Sequence, residues 1–251
     1  MRKNLTKQRR RLLAGIICCL FGLTVGVWAY PLQLEDQFGR AVILERPPMR
    51  IVSGSPGNTE ILFALGLADR IVGVTDWCDY PPAAQEKPKV GDIAPINIER
   101  VLALRPDLVL ACNLNGKEAV ENLTALGIPT FALNPVSFAD LGEAIGLVGQ
   151  LTGAQTAAAQ LVAELEAALA ALAPAREAAG AQPKVFIAIG IDLADLWTAG
   201  TGTFLDEAVT CLGWKNIAGG LGFSWGQISL EYILAENPES ILTELDPEVF
   251  R

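Results

Sequence analysis

Apolar and polar positions alternate with a period of two in LQLEDQFGRAVILERPP (residues 32–48) and break at the polar stretch 36–40. That pattern predicts a short hairpin, with Gly39 supplying the backbone angles of its turn. RIVSGSPGNTEILFALGLADRIVGV follows, and predicts a strand over 51–53, a helix capped by Asn58 or Thr59 and stopped at Gly66, and a strand over 71–74. In NIERVLALRPDLVLA (residues 97–111) the spacing changes to the helical period, so that Ile98, Val101 and Leu102 share one face. Pro106 ends that helix, and LVLA reads as a buried strand. A helix near 116–126 and a strand over 129–133 continue the alternation, which predicts an α/β lobe.

A second regime begins at LVGQLTGAQTAAAQLVAELEAALAALAPAREAAGAQ, where Leu161, Val162, Leu165, Leu169 and Leu172 mark an amphipathic helix. Over residues 155–178 it would span roughly 36 Å at 1.5 Å per residue, enough to bridge two lobes. The α/β alternation then restarts with KVFIAIGI, a helix near 204–212 capped at Thr203 with Asp206 three residues on, and the loop GGLGFSWG, read as flexible. SLEYILAENPESILT (residues 229–243) closes the series and repeats NIERVLALRPDLVLA in register: Glu231 minus Glu99 and Pro238 minus Pro106 both give 132. The expectation is an α/β protein of two lobes, over 30–152 and 181–251, joined by one long rigid helix over 153–180. The second lobe has fewer elements and reads as incomplete.

Charge changes the picture at the amino end. Residues 1–29 hold 6 of the 19 basic residues and no acid, and lead into LLAGIICCLFGLTVGVW. A basic start, an apolar run and small residues around Trp28 read as an export signal, with an uncleaved membrane anchor as the alternative. Ile17 is bulky for a lipoprotein site before Cys18, and the arginines 9–11 fit a twin-arginine signal loosely. From Tyr30 onward 13 basic residues face 28 acids, a formal charge of −15. Such a body repels nucleic acid and anionic membrane and suits neutral or cationic ligands, or a basic protein surface. Beyond the leader stand Cys78, Cys112 and Cys211, an odd number, of which Cys78 and Cys112 are one conceivable pair.

The inventory excludes much chemistry. The chain has no histidine, which removes Ser-His-Asp and Cys-His nucleophiles, histidine zinc sites and histidine haem ligation. GSPGN lacks the Lys-Ser or Lys-Thr of a phosphate loop, and no spacing singles out a pair among the 28 acids. No catalytic residue, metal site or resident cofactor is expected. Trp77 in VTDWCDYPP and Trp225 in GFSWGQIS follow or precede predicted elements at places where open α/β sheets hold ligands. Glu99 and Glu231 occupy first helical turns, where an acid is favoured by about 0.3–1 kcal/mol. Their recurrence in two lobes also suits docking onto a two-fold partner.

These segments resemble the helical-backbone substrate-binding proteins of ABC importers, which include the cobalamin-binding protein and ferric-siderophore binders. The resemblance is carried by RIVSGSPGNTEILFALG, RIVGVTDWCDYPP, NIERVLALRPDLVLA, the alanine-rich helix and WGQISLEYILAENPESILT. It implies two lobes on one long helix with the ligand between them, and Glu99 and Glu231 engaging arginines of the importer's membrane permease dimer. It also implies a ligand-binding set of Trp77, Asp79, Tyr80, Trp225, Asn58 and Cys112. Ile93 and Cys112 stand where the cobalamin binder carries tryptophan. Family members usually continue with more sheet and a final helix. The ligand expected is a metal chelate, a cobalamin-like corrinoid in preference to a ferric siderophore. Anionic siderophores need cationic clamps, and the loops offer Lys117, whereas tryptophans suit large apolar faces. Tyr80 and Tyr232 leave an opening for haem. An exported small-ligand enzyme and a tethered ligand sensor are the competing classes.

Overall fold

A computed structural model describes residues 30–178, 182–189 and 196–243. The leader lies outside the described residues; among them, no helix is long and apolar enough to cross a membrane. The hairpin forms as expected, from β1 (Leu32–Glu35) and β2 (Ala41–Leu44), antiparallel, with Gly39 at φ +72° in the turn. Its buried Asp36 accepts backbone N–H groups from Phe38, Arg40 and Ala132, and so ties the turn to the sheet.

The first lobe is a four-stranded parallel sheet in the order β4-β3-β5-β6, from β3 (Ile51–Ser53), β4 (Ile71–Val74), β5 (Leu108–Cys112) and β6 (Thr130–Leu133). Successive side chains of a strand point to opposite faces, so a strand covered on both sides is apolar throughout. In β5, Leu108 and Leu110 join the core that faces α1 (Pro56–Ala64), α4 (Phe138–Thr152) and α5 (Gln155–Ala170). Val109 joins the opposite core, with Val101 of α2 (Ile98–Ala103) and Leu123 of α3 (Lys117–Ala125). Each such side chain contributes about 1.5–3 kcal/mol on burial.

Two local readings are corrected by the structure, and one helix, α4, was not among the elements expected. The cap of α1 is Ser55, whose hydroxyl accepts from Asn58 N–H, and Pro56 fills the first helical position; Asn58 and Thr59 lie one turn inside, buried. Helix α4 carries Gly142, Gly146 and Gly149, which weakens its sequence signal. Gly149 nevertheless has a purpose, since a Cβ there would stand 2.5 Å from Ala158 Cβ on α5. The expected continuous helix over 155–178 is interrupted: α5 ends at Ala170 and α6 (Ala173–Ala178) follows after a two-residue turn. Pro174 explains the break, because its ring excludes the carbonyl of Ala170 four residues back and it has no N–H to offer.

The second lobe repeats the centre of the first. Strands β7 (Lys184–Ala188), β9 (Lys215–Asn216) and β11 (Ser240–Thr243) form a parallel sheet in the order β11-β7-β9. Helix α7 (Phe204–Cys211) starts at Thr203, which accepts from Asp206 N–H as expected. Helix α8 (Leu230–Glu236) starts at Ser229. The stretch read as a flexible loop is partly ordered: β10 (Trp225–Gln227) pairs antiparallel with β8 (Trp197–Ala199).

The two repeated units match down to their ends. Arg105 and Asn237, 132 residues apart, both adopt left-handed backbone, at φ +46° and +47°. Arg50 donates to Leu104 O and Arg105 O at the carboxyl end of α2, and Lys184 donates to Glu236 O at that of α8. A cation there satisfies orphan carbonyls and complements the helix dipole. Asp107 N–H donates to Arg50 O and Glu239 N–H to Lys184 O, which sets β5 beside β3 and β11 beside β7.

Candidate ligand-binding rims and docking glutamates

The strands of each lobe run parallel, so their carboxyl ends gather on one side, and the loops leaving that side carry the aromatic residues. After β4 the chain turns through Asp76, Trp77, Asp79 and Tyr80, with Trp77 63% and Tyr80 64% exposed. Trp77 does not swing free, because its indole N–H donates to Asp92 Oδ1 at 2.8 Å. That hydrogen bond, then the Ile93 N–H on the same oxygen, holds the Asp92 carboxyl below its usual range.

Asn115, which the sequence reading did not select, organises this rim. Its amide nitrogen donates to Ile93 O and Gly54 O, and its oxygen accepts from Cys112 N–H. Trp77, Asp92, Ile93, Asn115 and Cys112 therefore form one connected network, bringing together three positions that the resemblance had linked. A polar residue three places beyond a strand end, able to cap its own loop, was the available signal.

Cys112 is buried, and so is Cys78, whose sulfur lies 3.1–3.2 Å from the hydroxyls of Thr75 and Thr59. Both are unpaired, as is half-buried Cys211. Asn58 is a correction to the expected ligand set: it is buried, and its amide donates to Leu110 O and Ala111 O, so it ties α1 to β5.

Asp79 and Tyr80 are exposed, and Tyr80 lines a cavity of about 570 Å³ that also receives Glu60, Ile61, Leu161, Leu165 and, from the second lobe, Phe204. Partial desolvation, then the nearby Asp79 charge, raises the Glu60 carboxyl above its usual range. Trp225 stands 56% exposed on β10, over an apolar recess of about 420 Å³ lined by Ile187, Ile189, Leu205 and Leu242. This recess opens at the carboxyl ends of β7 and β11. Trp77 and Trp225 therefore stand on the rims of different lobes. Tyr232 is spent on the fold, its hydroxyl donating to Ile217 O at 2.9 Å.

Cations are scarce on the first rim. Lys117 pairs with Glu121 at 3.7 Å, and Lys89 donates to Thr75 O and Cys78 O. Among the described residues, no group of three or more acidic or thiol side chains is placed to hold a metal ion.

Glu99 and Glu231 are both exposed and both take the second position of their helices, after the caps Asn97 and Ser229. The Glu231 carboxyl is lowered by its own backbone N–H and then by the Ser229 hydroxyl. The sequence profile of the periplasmic binding protein family matches residues 51–246.

The chain belongs to that family. Among its relatives within the family, an ABC transporter substrate-binding lipoprotein of Bacillus subtilis is 34% identical over 85% of this chain and 69% of its own length. A vitamin B12-binding protein of Salmonella choleraesuis is 30% identical over 95% of this chain and 80% of its own length. Solved periplasmic binding proteins share the architecture. The vitamin B12-binding protein of Vibrio cholerae superposes with a TM-score of 0.68 at 28% identity, covering 78% of this chain and 76% of that one. A haem-binding protein of Pseudomonas aeruginosa gives 0.75 at 26%, covering 80% and 75%. The two-lobed α/β architecture expected from the sequence is thus the family's own.

Proposed function

We propose that this periplasmic binding protein captures a cobalamin-like corrinoid between its lobes and delivers it to an ABC importer, doing no chemistry on it. The observation that carries this reading is the pair of exposed tryptophans, Trp77 and Trp225, one on each carboxyl-end rim. A corrinoid offers two broad faces to such rings, and burying large aromatic surface supplies affinity without a charged clamp. The first rim presents Asp76, Asp79 and Asp92, while its lysines are engaged in the fold or with Glu121. That balance disfavours anionic ferric siderophores and haem propionates. Relatives named for vitamin B12 support the same choice. The ligand is cargo, and the protein needs no resident cofactor.

In this reading residues 1–29 export the chain to the periplasm, and Glu99 and Glu231 meet arginines on the two copies of the permease. Mass measurement of the mature amino terminus tests the first point: a start at Tyr30 supports release, and an intact leader supports a tether. Ligand class is tested by dialysing the protein against equal concentrations of cyanocobalamin, haem and a ferric hydroxamate. The reading expects a corrinoid absorption spectrum in the retained fraction. Retention of haem or siderophore in its place would overturn it.

A further inference from the structure

The amino terminus of α4 is completed by the other lobe. Within its own chain segment, Ser137 Oγ accepts from Asp140 N–H at 3.0 Å, and Asp140 Oδ2 accepts from Val136 N–H at 3.2 Å. The first helical N–H, that of Phe138, instead donates to Glu207 Oε2 at 2.6 Å, across 69 residues of chain. Glu207 itself lies in the first turn of α7, so one carboxylate sits at the positive ends of two helices from different lobes. A charge-assisted hydrogen bond in that place is among the stronger polar contacts available to a protein.

A second contact of another kind accompanies it. Phe138 and Phe204 meet edge to face, with ring centroids 4.4 Å apart and planes at 61°. Phe204 is the first residue of α7 and also closes the second-lobe end of the Tyr80 cavity. Phe138, Phe204 and Glu207 are all half-buried. The contact follows β6 in one lobe and β8 in the other, on the side where their carboxyl-end loops emerge. It therefore joins the two lobes beside the rims that carry Trp77, Tyr80 and Trp225.

We infer that Glu207 and Phe204 are positioning residues: they fix the first lobe against the second through Phe138 and so set the gap between the aromatic rims before a ligand arrives. The consequence for affinity rests on the ligand reading above, whereas the geometric part stands without it.

Spin labels at Glu121→Cys on α3 and Ala235→Cys on α8, in a Cys18→Ser, Cys19→Ser and Cys211→Ser background, read the interlobe distance of the full chain by pulsed electron resonance. Without ligand, the expected result is one narrow distance. Glu207→Ala should raise the population outside that peak about ten-fold, the scale set by losing one charged hydrogen bond. Glu207→Asp, which keeps the charge but is one methylene shorter, should broaden it as well. Glu207→Gln, which keeps a carbonyl acceptor of the same reach but loses the charge, should broaden it less than Glu207→Ala, and so should Phe204→Ala. The dissociation rate of cyanocobalamin should rise in parallel, about ten-fold in Glu207→Ala. An unchanged distance distribution in both Glu207→Ala and Glu207→Asp, even with a lowered melting temperature, would overturn the inference. If the distances broaden but the parent protein does not bind cyanocobalamin, positioning stands and the ligand reading falls.

Discussion

The units NIERVLALRPDLVLA and SLEYILAENPESILT have the same cap, helix, left-handed exit and strand, yet their strands live in different surroundings. Leu110 on β5 is fully buried, while Leu242, 132 positions later on β11, is 44% exposed. β5 lies between β3 and β6, with helices on both faces; β11 pairs with β7 alone among the described strands. The local pattern therefore decides the type of element and the placement of the glutamate. What covers the strand is decided elsewhere in the fold.

The largest test of this contrast is a matched pair of truncations. Leu110→Ala should cost about 2–5 kcal/mol of unfolding free energy, as core leucines do. Leu242→Ala should cost less than about 1 kcal/mol, because much of its surface is already wet. Urea denaturation of both variants reads the difference, and equal costs would show the strands to be equally supported.

The glutamates should behave alike where the strands do not. Glu99→Ala and Glu231→Ala should each lower uptake through the reconstituted importer about ten-fold, the scale of losing a charge pair at an interface. Cyanocobalamin affinity should stay within about two-fold, since in the proposed function the glutamates meet the permease and the tryptophans the ligand. Loss of ligand affinity in either variant would move that glutamate to the ligand site.

Smaller effects sharpen the comparison at the helix exits. Arg105→Gly should stabilise by up to about 1 kcal/mol, because a side chain with a Cβ is strained in left-handed backbone. Asn237→Gly should change stability by only a few tenths, since asparagine tolerates that conformation. The denaturation midpoints of the two variants check both signs.

The acid side gives the smallest effect. The Asp92 carboxyl is held low by Trp77, so its contribution is fully present above the unfolded aspartate pKa of about 3.9 and is lost as pH falls through the lower folded value. Tryptophan emission should therefore show a transition below pH 4 that Asp92→Asn abolishes. A transition that persists in the variant would assign it to another group.

Much of the fold was legible because it is local. The hairpin, the Thr203 cap and both repeated units follow from period, turn residues and prolines. Ser55 was missed because Asn58 and Thr59, which are also able to cap, follow within four residues; the choice follows from Pro56, which fits the first helical position. Helix α4 was missed because its glycines serve packing against α5, which propensity does not register. Pro174 was visible but outweighed by the alanine run around it.

At the candidate site, the exposure of Trp77 and Tyr80 follows from the loop after β4, whereas Trp225 is exposed on β10, in a stretch read as a loop. The inward turn of Asn58, the Asn115 network and the bond from Phe138 to Glu207 were not legible, since each depends on partners 20 or more positions away. Long-range hydrogen bonds leave no period in a sequence.

In the proposed function, tryptophans of both lobes close on one corrinoid. Titration of the intact protein with cyanocobalamin, followed by tryptophan fluorescence and the visible absorption of the corrinoid, tests it most directly. Saturable binding at micromolar concentration or below is predicted, weakened at least about ten-fold by either Trp77→Ala or Trp225→Ala. No saturation in the micromolar range, or binding that neither substitution weakens, would contradict it.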